Sequence, residues 1–260
     1  KMSYRPRAPW RAHVRVAVIA LCGVAMGAFA QAPATAPTLQ QQRDAFRVAY
    51  AAAQNGKDWQ PLAKGLENYP LFPYLEAAAL QHDIQLAPRA DVDAYLARYA
   101  DLIPAGDLRK AELRWSAQQK DWTTFRHFYQ AGLGDALTCD DLQAELAQGR
   151  QLDFDRDLAS LWQQTSLPSD CKPVLAAAFA QGLLTPQRVW ARIERAADAG
   201  RADTIEASTA WLTGTDATAA QRIADALRSP ADLLKKAQGF ADTRYNREAV
   251  ARALIRLARR

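Results

Sequence analysis

The sequence predicts an all-α chain, a solenoid of short antiparallel helix pairs stacked into a curved or ring-like superhelix. Three observations predict it. Alanine runs recur at Ala51, Ala52 and Ala53, at Ala77, Ala78 and Ala79, and at Ala176, Ala177 and Ala178, and alanine loses the least on entering a helix. Val and Ile are scarce after residue 42, and no stretch alternates apolar and polar residues as a half-buried strand would. A loose motif also repeats, in which an Ala-rich helix ends at a Gly or polar residue, a basic residue comes next, and a new helix opens.

The chain opens with Lys1, Arg5, Arg7, Arg11 and Arg15 and has no Asp or Glu before Asp44. An apolar run of about 14 residues follows (16–29) and ends in Ala28-Phe29-Ala30, a small-x-small cleavage pattern. Residues 1–30 read as a secretory signal peptide. The run is short for a membrane span, which needs roughly 20 apolar residues, so no stable span is expected after cleavage. Leu21 is too large for the residue before a lipidated cysteine at Cys22. Residues 31–42, rich in Gln and Pro, read as a flexible leader, and residues 43–260 as the folded domain. Of 33 Lys and Arg and 28 Asp and Glu, five basic residues lie in the leader and no acid does. The remaining domain is formally neutral and lacks the basic footprint of a nucleic-acid binder.

Within the domain, about thirteen helices of 9 to 16 residues are expected. The repeated punctuation reads Asn55-Gly56-Lys57-Asp58, then Gln119-Lys120-Asp121, then Gln148-Gly149-Arg150, then Ala199-Gly200-Arg201-Ala202-Asp203. Gly supplies a left-handed C-cap, the basic residue suits the negative end of the helix dipole, and Asp can cap the next helix. Thr138-Cys139-Asp140-Asp141, Thr185-Pro186 and Ser229-Pro230-Ala231-Asp232 read as helix starts. Trp122, Phe125 and Tyr129 share one face, as do Trp190, Ile193 and Ala197. In the last helix Val250, Leu254 and Leu257, with Ala251, Ile255 and Ala258 beside them, form a wide face expected to lie sandwiched between neighbours, with Arg247, Arg252, Arg256 and Arg259 covering the rest. Such helices bury their faces only by stacking in pairs.

Cys139 and Cys171 form an even pair in an oxidising compartment. A disulfide between them closes a loop of about 30 residues and contributes roughly 3 kcal/mol; two buried free thiols are the alternative. His82 and His127 are not spaced with a cysteine as zinc ligands are, and no metal or cofactor is expected. Glu67, Glu76, Glu112, Glu145, Glu194, Glu206 and Glu248 all read as solvated faces beside Lys, Arg or Gln. Asp153-Phe154-Asp155-Arg156-Asp157 begins like a calcium loop but fails at Leu158 and Gln164. Neither a phosphate loop nor a Gly-x-Ser-x-Gly elbow is present.

One segment is more specific. Tyr69-Pro70-Leu71-Phe72-Pro73-Tyr74-Leu75-Glu76 is similar to the Tyr-Pro-Leu-Tyr-Pro-Tyr-Leu-Glu segment near the N-terminus of soluble lytic murein transglycosylases, with Phe72 in place of a Tyr. Cys139 and Cys171 fall where that family has a cysteine pair, with Leu161-Trp162 between them. The resemblance covers roughly residues 43–260. It implies a periplasmic α-superhelix that curls into a ring, carries a C-terminal catalytic domain and guides peptidoglycan glycan strands. In that family the catalytic domain cleaves the MurNAc-GlcNAc β-1,4 bond. A Glu in a Glu-Ser motif protonates the glycosidic oxygen, the muramoyl 6-hydroxyl closes a 1,6-anhydro ring, and a Gly-Leu-Met-Gln motif lies further along the chain. Neither motif occurs here, and the two methionines are Met2 and Met26, so no catalytic residue is carried over. Pro70 and Pro73 impose a bend into which Tyr69, Phe72 and Tyr74 pack. These three are candidate glycan or domain contacts, with plain core as the alternative. The second functional class open to the sequence is a freestanding periplasmic helical-repeat module that binds a protein.

Overall fold

The computed structural model describes residues 37–259; the stretch expected to be a signal peptide and the first half of the expected leader lie outside them. Contacts divide the chain into a unit up to Leu39 and a unit spanning Gln40–Arg260. The second carries the fold. Its regular structure is helical throughout the described residues: α1 Leu39–Gln54, α2 Phe72–His82, α3 Arg89–Arg98, α4 Ile103–Gln119, α5 Trp122–Phe128, α6 Asp135–Ala147, α7 Ala159–Gln163, α8 Lys172–Ala180, α9 Pro186–Asp198, α10 Ala202–Ser208, α11 Gly214–Arg228, α12 Pro230–Lys236 and α13 Arg244–Ala258. The fold class read from the sequence holds, and so does the number of helices. Their lengths spread more widely, from the five residues of α7 to the seventeen of α4.

The punctuation motif builds one kind of corner. Gly56, Gly149, Gly182 and Gly200 take positive φ. In each case the next residue's N–H reaches back five positions to close the corner, as in Lys57 N to Ala52 O (2.9 Å) and Arg201 N to Ala196 O (2.7 Å). Lys120 makes the same corner after α4 with φ 55°, and Asp121 N donates to Ser116 O at 2.9 Å. Asp121 then caps α5, its side chain accepting from Thr124 N. Thr185 caps α9 by accepting from Arg188 N, as its sequence suggests.

Four boundaries differ from expectation. First, α1 begins at Leu39 rather than at Arg43, because the Gln residues of the leader are good helix formers and no Pro comes after Pro37 to stop them. Second, α6 begins at Asp135, so Thr138 lies inside the helix and its hydroxyl donates to Gly134 O. Asp135 favours that earlier start by placing an acid at the positive end of the dipole. Third, Ser229 precedes Pro230 at the start of α12 without a side-chain cap, and Asp232 pairs with Lys235 instead. Fourth, the apolar face of α13 is not sandwiched. Ala249 and Ala253 are fully buried, but Leu254 and Ile255 are 54% and 51% exposed. The helix docks on α11 and α12 through its small residues, which leaves the larger ones outside.

Apolar burial is organised along the chain. Ala49, Ala63, Leu66 and Leu75 form a first cluster. Val92, Leu108, Leu113, Phe125 and Phe128 belong to a second. A third, from Cys139 to Ala253, includes Trp162, Trp190, Ile193, Ile205 and Ile223. Helix contacts run mainly between near neighbours in sequence, as in α4 with α5, α9 with α10, and α11 with α13. That pattern is the signature of a solenoid.

Candidate functional site

The segment singled out by sequence folds into an aromatic corner. Pro73 lies in the first turn of α2, where its missing N–H is not needed. Tyr69 meets Phe46 at a tilt (5.4 Å between centroids), Phe46 stacks with Tyr50 (5.5 Å), and Phe72 meets Trp59 edge-on at 6.1 Å. Tyr69 and Phe72 are half-buried against the first cluster. Tyr74, also half-buried, is not part of it. Its neighbourhood includes Tyr95, whose hydroxyl donates to Pro73 O at 3.0 Å. The corner therefore assembles two of the three candidates.

Cys139 and Cys171 are bonded to one another across 32 residues and join α6 to the turn that opens α8. Asp140, the next residue, is buried. Burial, with the Asp170 side chain nearby, pushes its carboxyl up to about 6. Gln143 Nε2 bridges Asp140 Oδ1 (3.1 Å) and Asp170 O (2.9 Å), so these polar groups clasp the same two segments as the disulfide.

Glu112 corrects the reading of the glutamates as uniformly solvated. It is 6% exposed. Burial raises its carboxyl above the usual range, Arg89 opposes that, and Asp121 and Asp93 add to it. Two acids of the calcium-like stretch, Asp153 and Asp157, serve local pairing. Arg150, Arg156 and the N–H of Asp153 all donate to Asp157. Burial raises the Asp157 carboxyl, but these bonds outweigh it and hold it well below the ordinary carboxylate range.

Two of the hollows among the described residues combine polar groups with an aromatic or apolar wall. One, of about 770 Å³, is bordered by α11, α12 and Phe240. Arg222 lies over the Phe240 ring at 4.1 Å and donates to Asn246 Oδ1 at 2.8 Å, and Gln221 donates to Asp225. An aromatic face beside planar hydrogen-bonding groups suits polar, ring-bearing ligands. The other, of about 370 Å³, is bordered by residues 166–168, α8, α9, α10 and Trp211, with Arg192 in its wall. Sequence reading found neither hollow. Among the described residues no group of three or more His, Cys, Asp or Glu is placed to hold a metal, and no helix is long and apolar enough to cross a membrane.

No family model matches the sequence. Curated relatives do. The soluble lytic murein transglycosylases of Escherichia coli K12 and of Salmonella typhimurium are each 24% identical over 230 residues, which is 87% of this chain and 36% of theirs. Two solved structures share the fold. The 70-kDa soluble lytic transglycosylase in complex with bulgecin A aligns with a TM-score of 0.71 at 24% identity, covering 86% of this chain and 37% of that one. An inactive variant of the lytic transglycosylase Slt from Pseudomonas aeruginosa aligns at 0.65 with 27% identity, covering 83% and 36%. The resemblance drawn from Tyr69 to Glu76 thus extends over most of the chain. The chain spans little more than a third of the length of the relatives it matches.

Proposed function

We propose that this chain is the superhelical scaffold portion of a periplasmic soluble lytic transglycosylase. In this reading residues 1–30 are a cleaved export signal, and residues 43–260 form the domain that guides peptidoglycan strands toward a catalytic domain outside these residues. That catalytic domain cleaves the MurNAc-GlcNAc β-1,4 bond with a 1,6-anhydro product. The observation that carries the reading is the alignment with the 70-kDa enzyme across 86% of this chain but 37% of the enzyme. The chemistry of these residues agrees with it. The carboxyls raised by burial, Glu112 in α4 and Asp140 and Asp141 in α6, lie in helices packed within the array, and none belongs to a Glu-Ser motif.

The test is incubation of the exported, purified chain with intact sacculi. The expected outcome is a mature N-terminus at Gln31 by intact mass and no release of anhydro-muropeptides. Release of such products by this chain alone overturns the assignment of the chemistry to another domain, and retention of residues 1–30 overturns the signal.

A further inference from the structure

The hollow of about 370 Å³ has an unusual electrostatic wall. Arg192 is 4% exposed and is the one buried cation among the described residues. Its Nη1 donates to the carbonyls of Trp162 (3.0 Å) and Gln164 (2.8 Å), and its guanidinium lies 4.9 Å from the Trp162 ring centre. These carbonyls belong to the end of α7, so the guanidinium meets the negative end of a short helix but no carboxylate. Its Nε has no hydrogen-bond partner. Burial first, and then Arg195, bring its pKa down to about 10.

The other charges around the hollow do not balance it. Arg195 donates to the same Trp162 carbonyl. Lys172 lines the hollow at the first residue of α8, where the helix dipole already disfavours a cation. Among the described residues neither of them, nor Arg192, pairs with an acid, whereas Asp203, the one acid in the wall, is held by Arg201 at 2.9 and 3.2 Å. The remaining wall is largely apolar and includes Leu167, Pro168, Leu175, Ala207 and Trp211. A buried cation with no carboxylate partner is costly to hold, and an anion entering beside it relieves that cost.

We propose that this hollow binds a small monovalent carboxylate with an apolar body, the group presented by a peptide C-terminus or by a free organic acid. The volume suits a ligand of roughly a dozen heavy atoms. The apolar walls and the neighbouring Asp203 disfavour a compact, strongly hydrated dianion such as phosphate. The proposal is independent of the scaffold role.

The test is titration of the ¹⁵N-labelled chain with N-acetyl-alanyl-alanine, its C-terminal amide, benzoate and inorganic phosphate. Saturable amide shifts confined to residues 166–172 and 204–211 are expected with the acids, at dissociation constants on the order of 1 mM or tighter. The amide should bind at least about tenfold more weakly. Lys172→Gln, an exposed change, should weaken binding several-fold, and Ala207→Phe should abolish it by filling the space; both should leave the remaining spectrum unchanged. Tighter binding of the peptide acid than of benzoate identifies a chain terminus as the source, and the reverse identifies a free acid. Equal binding of acid and amide, tighter binding of phosphate, or no shift at these residues overturns the proposal.

Discussion

Among the described residues Lys120 is the one non-glycine residue with a positive φ. It occupies the position that Gly56, Gly149, Gly182 and Gly200 fill in the other corners of this type. A side chain in the left-handed region costs about 1 kcal/mol. Lys120→Gly should therefore raise the melting temperature by about 2 °C, read by circular dichroism; an unchanged or lowered value counts against the shared corner. Asp140 gives a pH-dependent prediction. Its folded pKa, about 6, lies above the ordinary value, so the folded state holds the proton more tightly than the unfolded one. The stability linked to it is present below the ordinary carboxylate pKa and is lost as pH rises through about 6. Asp140→Asn should be about 2–3 kcal/mol more stable than the parent at pH 7.5, with the difference closing below pH 4. A urea-unfolding difference that does not depend on pH refutes this. At this scale the sequence was legible where residue type and helix period agree, as for Phe125 and Ile193. It misled where they conflict. Ala105, Leu108, Glu112 and Ser116 share the inner face of α4, and the spacing already puts Glu112 inside, but charge argued for solvent. Arg192 lies inside the stripe of Val189 and Ala196 in the same way.

Helices are where the sequence spoke most clearly. Gly-based stops and Pro or Thr starts depend on local backbone chemistry, so corners such as Gly200-Arg201 and starts such as Thr185-Pro186 could be read without tertiary knowledge. The start of α6 was less clear, because Asp135 and Thr138 are both acceptable beginnings and the acid at the positive end of the dipole favours the earlier. Both hollows were invisible for a related reason. The residues around Arg192 come from α8, α9, α10 and two connecting segments, and no local pattern joins them. At the element scale the strongest single tie is the bond from Cys139 in α6 to Cys171 ahead of α8. It closes a loop containing α7 and the π-helical turn Phe154–Leu158. Cys139→Ala with Cys171→Ala should lower the unfolding free energy by about 3 kcal/mol. Reducing agent should destabilise the parent but not the double variant. Equal sensitivity of both to reductant excludes the tie as the cause.

At the scale of the molecule, burial is uneven along the array. The first cluster contains four fully packed side chains, all Ala or Leu, whereas the third draws on many helices from α6 to α13. In a one-dimensional array each part is held only by its neighbours. Native-state hydrogen exchange should therefore show α1 and α2 opening at lower free energy than α9 and α11. Uniform protection from end to end would reveal a single cooperative unit and defeat this expectation. The solenoid class was legible from composition and repeated punctuation, because every pair faces the same burial problem. The spread of helix lengths was not, since helices of five and seventeen residues are set by packing.

The recurrent backbone corner, closed entirely by its own amides and carbonyls, makes each bend indifferent to the side chains of the next one. A chain built this way can gain or lose a helix pair during evolution without redesigning its remaining joints. Pulled from its two ends, an array held only by neighbouring contacts is expected to lengthen in successive short steps, as a segmented strap would.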